Sequence, residues 1–203
     1  MSRVAGNSVA ARFEAIHAEQ RGPILGYLLR LTRDLPLAEE LTQETFLRVS
    51  RSLPTFRGDS KLTTWLYRIA TRVYLDQRRK EAVRSADPRK LPPVLVAAPA
   101  AGSSAAAGPR LPDLLLEASE MGRCIREFVD RLPPDHRTAI VLHDLQGLSN
   151  PEIAEVLECS LETVKIRVHR ARHQLRGLLS ENCELDVDDG VVRCDRKQPE
   201  GAP

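Results

Sequence analysis

Ser149-Asn-Pro-Glu-Ile-Ala-Glu-Val-Leu-Glu-Cys-Ser-Leu-Glu-Thr-Val-Lys-Ile-Arg-Val-His-Arg-Ala-Arg172 is the stretch whose spacing decides the fold. Ser149 and Glu152 stand at the interval of a capping box. Pro151 is tolerated in a first helical turn, where its missing N–H has no intrahelical partner to lose. Ile153, Ala154 and Leu157 give this short helix an apolar side. Glu158-Cys159-Ser160 is a tight connection, and Ser160 is placed to cap the next helix. There Leu161, Val164, Val168, Ala171, Leu175 and Leu178 recur at alternating intervals of three and four, which predicts one buried stripe. Thr163, Lys165, Arg167, His169, Arg170 and Arg172 take the opposite side. A short helix, a tight turn and a longer basic helix predict a DNA-reading helix-turn-helix. Arg and Lys pair with phosphates or guanine edges, and Thr serves either. The plain alternative is a helical hairpin whose basic face is merely solvated. His169 and His173 are four apart, as metal ligands can be. No glutamate follows His169 to complete a metalloprotease pattern, so a surface or DNA-contacting pair is expected.

Working upstream, Met121, Ile125, Phe128 and Leu132 recur at helical spacing, and Pro133-Pro134 ends that helix. A second helix carries Ala139, Leu142 and Leu145 and stops at Gly147. Residues 88–112 break the pattern with Pro88, Pro92, Pro93, Pro99, Pro109 and Pro112 among small residues. Proline removes backbone donors and alanine offers little to pack, so a flexible linker is expected over 85–112. It divides an N-terminal block (7–84) from a C-terminal block (113–180), with a polar tail (181–203). The N-terminal block predicts four helices. Phe13 and Ile16 mark the first, Tyr27, Leu28 and Leu31 the second, and Leu37, Leu41 and Phe46 the third. The fourth runs from about Ser60 to Lys80, with Leu62, Trp65, Leu66, Ile69, Ala70 and Val73 inward. The fold class is therefore all-α: two small helical domains, the second holding the helix-turn-helix.

Composition narrows the function. Leu, Ala, Arg and Glu dominate and aromatics are only 4% of 203 residues, which favours helix over sheet. Net charge is +2, too small to predict nucleic-acid binding by itself. Distribution says more: basic residues gather over Arg68–Arg84 and Lys165–Arg176, acidic ones near Glu39–Glu44 and in the tail. No apolar run is long enough to span a bilayer, and Met1–Ala11 lacks a basic segment followed by an apolar one, so a cytoplasmic protein is expected. In that compartment Cys124, Cys159, Cys183 and Cys194 are expected as thiols. No glycine-rich phosphate loop, zinc-ligand cluster or activated nucleophile stands out, so neither cofactor nor catalysis is expected.

Together the two blocks resemble the extracytoplasmic-function (ECF) family of bacterial RNA polymerase sigma factors, over about 10–80 and 117–178. Ala38-Glu-Glu-Leu-Thr-Gln-Glu-Thr-Phe-Leu47 is similar to the family's core-polymerase-binding helix, which docks on a coiled coil of the β′ subunit. The resemblance gives that role to Glu40, Gln43, Glu44 and Phe46, with Glu40 where the family usually has Asp. Read without it, Glu39, Glu40 and Glu44 are a solvated helix face. Phe56-Arg-Gly-Asp-Ser-Lys-Leu-Thr-Thr-Trp-Leu-Tyr-Arg-Ile-Ala70, continued by Asp76, Arg78 and Arg79, is similar to the promoter-melting segment. That segment reads the −10 element and holds a flipped base. The resemblance implies DNA contacts from Lys61, Arg68, Arg72, Arg78 and Arg79. Position 72 commonly holds Asn in the family. For Trp65 the favoured reading is a core anchor, because apolar neighbours share its face, and Arg78-Arg79-Lys80 read partly as charges suited to a helix C-terminus. Leu132–Leu142, Leu148–Ala154 and Thr163–Arg172 resemble the domain that reads the −35 element and contacts the β flap. Ile166 stands where a small polar residue is frequent. The implied partners are core RNA polymerase, promoter DNA and, in many relatives, an anti-sigma protein. The rival is a helix-turn-helix activator with another N-terminal module, which is not a polymerase subunit.

In the tail, Cys183-Glu-Leu-Asp-Val-Asp-Asp-Gly-Val-Val-Arg-Cys194 predicts a short hairpin about Asp189-Gly190. The favoured reading is a docking hairpin with incidental thiols. The alternative has Cys183 and Cys194 bind a soft metal or form a regulatory disulfide.

Overall fold

A computed structural model of the chain describes residues 2–84, 120–188 and 191–197. The expected linker (85–112), the start of the second block and the Asp189-Gly190 turn lie outside them.

The first two predicted helices form one, α1 (Ser2–Thr32), which runs through Pro23. Ile16, Ile24, Tyr27, Leu28 and Leu31 are buried in a single core. Ile16 and Ile24 are close to two turns apart, so they stay on one side of an unbroken helix. Pro23 removes one backbone hydrogen bond, and the continuous buried stripe outweighs that loss. The helix ends where Arg33 turns left-handed (φ 61°) and donates its N–H to the Leu29 carbonyl at 2.9 Å. Asp34 then caps α2 (Leu35–Ser52), its carboxylate accepting the Leu37 N–H at 2.9 Å. A 3-10 turn (Leu53–Thr55) leads to α3 (Leu62–Arg84). Ala38, Leu41 and Val49 of α2 and Leu66, Ala70 and Val73 of α3 close the core over α1.

In the second block, α4 (Glu120–Arg131) is followed by α5 (Pro134–Ile140), which loosens into a π turn over Val141–Leu145. Gly147 ends it with a left-handed φ of 70°, a conformation that burdens other residues. Next come α6 (Asn150–Leu157) and α7 (Leu161–Asn182). Glu152 reaches back to accept Ser149's N–H at 2.8 Å and hydroxyl at 2.6 Å, and Ser160 accepts the Thr163 N–H at 3.1 Å, as the spacings predict. Val164, Val168 and Ala171 are buried against the neighbouring helices, while Leu175 and Leu178 are partly buried. Leu161 departs from the expected stripe: as the first residue of α7 it remains exposed.

The blocks are packed against each other. The main seam is α3 on α6, with α1 against the π turn, and one buried apolar cluster includes residues of both blocks. Tyr67 of α3 donates its hydroxyl to Gln146 Oε1 at 2.6 Å. Tyr27 stands edge-on to Tyr67 at 5.1 Å and shares a 2.7 Å hydrogen bond with Thr71. Burial pushes both phenols well above their ordinary pKa, so the Tyr67 hydroxyl stays protonated and able to donate.

The tail forms the expected hairpin, β1 (Cys183–Asp188) antiparallel to β2 (Val191–Arg196). Cys183 pairs with Arg196 and Cys194 with Leu185, so the two cysteines are offset by two residues rather than opposite. Cys183 is buried against Phe128, Leu175, Leu178 and Leu179, and Arg196 meets Glu127 of α4. The hairpin thus docks on the end of the second block.

Pro23→Ala restores a donor in the middle of α1. It is expected to stabilise the full chain by about 1–3 kcal/mol in urea unfolding. Loss of stability would mean that α1 needs the break that two separate helices would have.

Candidate nucleic-acid interface

Lys61 accepts the Trp65 N–H at the foot of α3, and Arg68 and Arg72 follow at intervals of seven and four, which puts all three on one face. That face meets α6. Lys61 Nζ lies 2.9 Å from Glu152 Oε1. Arg68 donates through Nε to the Glu155 carbonyl at 3.0 Å and through Nη2 to the Glu155 carboxylate at 3.3 Å. Arg72 pairs with Glu158. Glutamates at intervals of three therefore meet three of the five cations expected to hold −10 DNA. Glu158 does so from a left-handed backbone (φ 52°), a conformation that costs a residue with a side chain about 1–3 kcal/mol. Burial raises the Glu152 pKa, but the hydrogen bonds from Ser149 and the Lys61 ammonium outweigh it and hold the carboxyl below its ordinary value.

The remaining two cations of that set stand further along α3, Arg79 on the same face seven residues beyond Arg72 and Arg78 to one side of it. Arg78 is half-buried, and Arg79 is exposed, 3.4 Å from Asp76. Trp65 is half-buried against the core with its ring tilted on Phe56, centroids 4.6 Å apart, and the Arg12 guanidinium lies over Phe56. That placement agrees with an anchoring role for the indole.

On α2, Glu40 and Gln43 are exposed and Glu44 is half-buried. They line a groove of about 460 Å³ between α2 and α3, together with exposed Leu47 and with Asp76. Phe46, the fourth residue of the expected docking set, lies on another side of α2. It is buried, edge-on to Phe13 and His17 at 6.5 and 4.7 Å, because its position on α2 faces α1. Arg48, which the sequence reading missed, organises the groove by bonding Glu44 at 2.8 Å and Asp76 at 2.9 Å. These bonds raise its already high pKa. The Glu44–Arg48 interval of four was its sequence signal.

On α7, Lys165, His169 and Arg170 are exposed with no partner within the described residues. Arg172 joins them but is bound to Asp144 and His143 of the π turn. Burial raises the Asp144 pKa, yet the bonds from Arg172 and His143 leave it below its ordinary value. Two expected contacts are turned elsewhere. Arg167 is ion-paired with Asp135 at 2.7 Å, and the Thr163 hydroxyl bonds Ser160 at 2.8 Å. The reading missed Asn150 and Arg176, which line a cleft of about 290 Å³ with Lys165, Arg172 and the expected pair His169 and His173. The positions 165, 169, 172 and 176 repeat the intervals of three and four that define the buried stripe, so the signal for Arg176 was present. Backbone donors at a helix start and a row of cations suit phosphate and base edges.

Comparison with known proteins matches the description Sigma-70 region 2 over residues 18–84 and Sigma-70, region 4 over 122–175. The chain is 37% identical over 154 residues to the ECF RNA polymerase sigma factor SigE of Mycolicibacterium smegmatis, covering 75% of this chain and 56% of that protein. It is 33% identical over 167 residues to the RNA polymerase sigma-H factor of Pseudomonas aeruginosa, covering 80% and 83%. It is 34% identical over 159 residues to the ECF RNA polymerase sigma factor SigW of Bacillus subtilis, covering 75% and 80%. Among solved structures it is similar to the sigma factor RpoE in complex with the anti-sigma factor NepR from Bartonella quintana, with a TM-score of 0.64 and 24% identity over 83% of this chain and 97% of that one. CnrH in complex with the cytosolic domain of CnrY gives 0.58 and 21%, over 87% and 95%. At these identities the two structures share the fold with this chain.

Because the Glu152 pKa is lower folded than unfolded, the stability it contributes is fully present above its ordinary value of 4.5 and is lost as pH falls through the lower folded value. Glu152→Gln is expected to flatten that part of the acid limb in urea unfolding as pH falls below about 4.5. An unchanged limb would show that Glu152 is not held ionised by Ser149 and Lys61.

Proposed function

The chain belongs to the extracytoplasmic-function family of RNA polymerase sigma factors, and from that membership we propose what each of its surfaces does. It is a sigma factor that directs promoter-specific initiation, reading −10 and −35 elements. A helix-turn-helix activator with an unrelated N-terminal module does not fit, because the region 2 match lies in that module. We assign core-polymerase binding, −10 recognition and melting to 7–84, the tether to 85–112, and −35 recognition to 113–180. The chain's part is binding, and bond formation belongs to the polymerase. Its place of work is the cytoplasm, where polymerase and promoter are. Among the described helices none is long and apolar enough to cross a membrane.

The exposed edge formed by Glu40, Gln43, Glu44 and Leu47 is assigned to the β′ coiled coil. Lys61, Arg68 and Arg72, with Arg78 and Arg79, are assigned to the −10 strand. Lys165, His169, Arg170 and Arg172 are assigned to the −35 major groove, and the second block also to the β flap. Thr163 and Arg167, partnered by Ser160 and Asp135 in this structure, belong to the same assigned set. The RpoE neighbour is bound to an anti-sigma factor, and an inhibitory protein of that kind is assigned as a partner here too. The single observation that carries this reading is the pairing, in one chain, of an acidic groove on a region 2 helix with an open basic face on a region 4 helix.

The direct test is transcription from a random promoter library by core polymerase with and without this chain. Selective initiation at a shared pair of elements is expected, and library transcription indifferent to the chain would refute the reading. Glu40→Ala/Gln43→Ala is expected to weaken association with core polymerase in a competition assay while the second block stays folded. An unchanged affinity would show a merely solvated face. Arg170→Ala or Lys165→Ala is expected to weaken upstream promoter binding by about 1–3 kcal/mol if the side chain reads a base, relaxing specificity at one position. A phosphate contact would instead weaken all sequences alike and flatten the salt dependence. Core binding is expected to stay intact in both.

A further inference from the structure

The cations assigned to −10 DNA are not waiting for it: Lys61, Arg68 and Arg72 are paired with Glu152, Glu155 and Glu158 across the seam. A DNA strand offers the same face a row of phosphates at comparable intervals, so α6 and DNA compete for one set of donors. We propose that the packing of α6 on α3 is an autoinhibitory latch, in which three glutamates of the helix-turn-helix stand in for the −10 phosphates and must leave before that strand binds. The proposal rests on the assignment of Lys61, Arg68 and Arg72 to DNA.

Three observations separate a latch from a permanent core. Around the apolar cluster shared by the two blocks, the seam carries polar contacts that water or DNA replaces, so these groups regain partners when it opens. Its central hydrogen bond, from Tyr67 to Gln146, leaves the buried Gln146 Nε2 without a partner in the described structure, and opening would rehydrate it. Glu158 holds Arg72 from a left-handed backbone that a glycine would occupy without strain. The exposed cations of α7 lie outside the seam, so the latch covers one DNA surface and leaves the other open.

The test uses the full chain with a fluorophore pair introduced at Ser50 and Ser180 through unnatural amino acids, and fluorescein-labelled oligo-dT as the probe. Glu155→Gln/Glu158→Gly removes two of the three pairs, and the glycine relieves the turn, which protects the fold. This variant is expected to lower energy transfer between the blocks and to tighten oligo-dT binding about fivefold at low salt, the scale of two partly exposed pairs. Glu14→Gln/Glu19→Gln, which removes the same charge from the exposed side of α1, is expected to change neither. Arg68→Ala/Arg72→Ala is expected to weaken oligo-dT binding. If that weakening occurs but the glutamate variant matches the α1 control in transfer and affinity, the latch is wrong and the −10 assignment stands. If the glutamate variant opens the blocks without tightening DNA binding, the competition is refuted. If Arg68→Ala/Arg72→Ala binds like wild type, the −10 assignment itself fails and takes the latch with it.

Discussion

Tyr67 donates to Gln146 at 2.6 Å inside the seam, and the arrangement of the two blocks depends on that contact and its surroundings. The phenol is held by the edge of Tyr27 on one side and reaches the residue just before Gly147 on the other. A buried neutral hydrogen bond resists screening by salt, whereas the flanking ion pairs are partly exposed and weaken with it. The seam therefore has an unscreened centre and a salt-sensitive rim. Arg33, at the end of α1, adds a pair with Asp130 of α4 at 2.7 Å. Burial outweighs its cationic neighbours and leaves the Asp130 pKa above its ordinary value.

Glu152 couples local and tertiary structure. One of its oxygens completes the N-terminal cap of α6, and the other meets Lys61. The group that starts the helix-turn-helix therefore also orients it on α3. The same economy appears at Asp144, which bonds Arg172 of the reading helix from the π turn. Loosening α5 into that turn places His143 and Asp144 beside α7, where they narrow the approach to the basic face.

The two cation sets reach different states in one molecule. On α7, Lys165, His169 and Arg170 remain directed to solvent. On α3, Lys61, Arg68 and Arg72 are partnered by acidic side chains from another element. Net charge of +2 conceals both facts, since a sum over the chain does not say which cations are paired and which face solvent.

The sequence by itself determined the elements whose rules are local. The capping spacing of Ser149 and Glu152, the cap at Ser160, the stop at Gly147 and the intervals along α7 from Val164 onward are short-range geometry, and each is present. The order of motifs along 38–47, 56–79 and 149–172 was enough to place the family. Tertiary structure decided what local rules leave open. Whether Pro23 breaks α1 depends on packing beneath it. Phe46 faces α1 rather than solvent because a neighbouring helix covers that side. Arg167 serves Asp135 from 32 residues away. The pairing of Arg68 with Glu155 spans 87 residues and crosses between blocks, so no periodicity within either helix could have indicated it. A helical repeat says which side chains share a face, and only the packed chain says what that face meets.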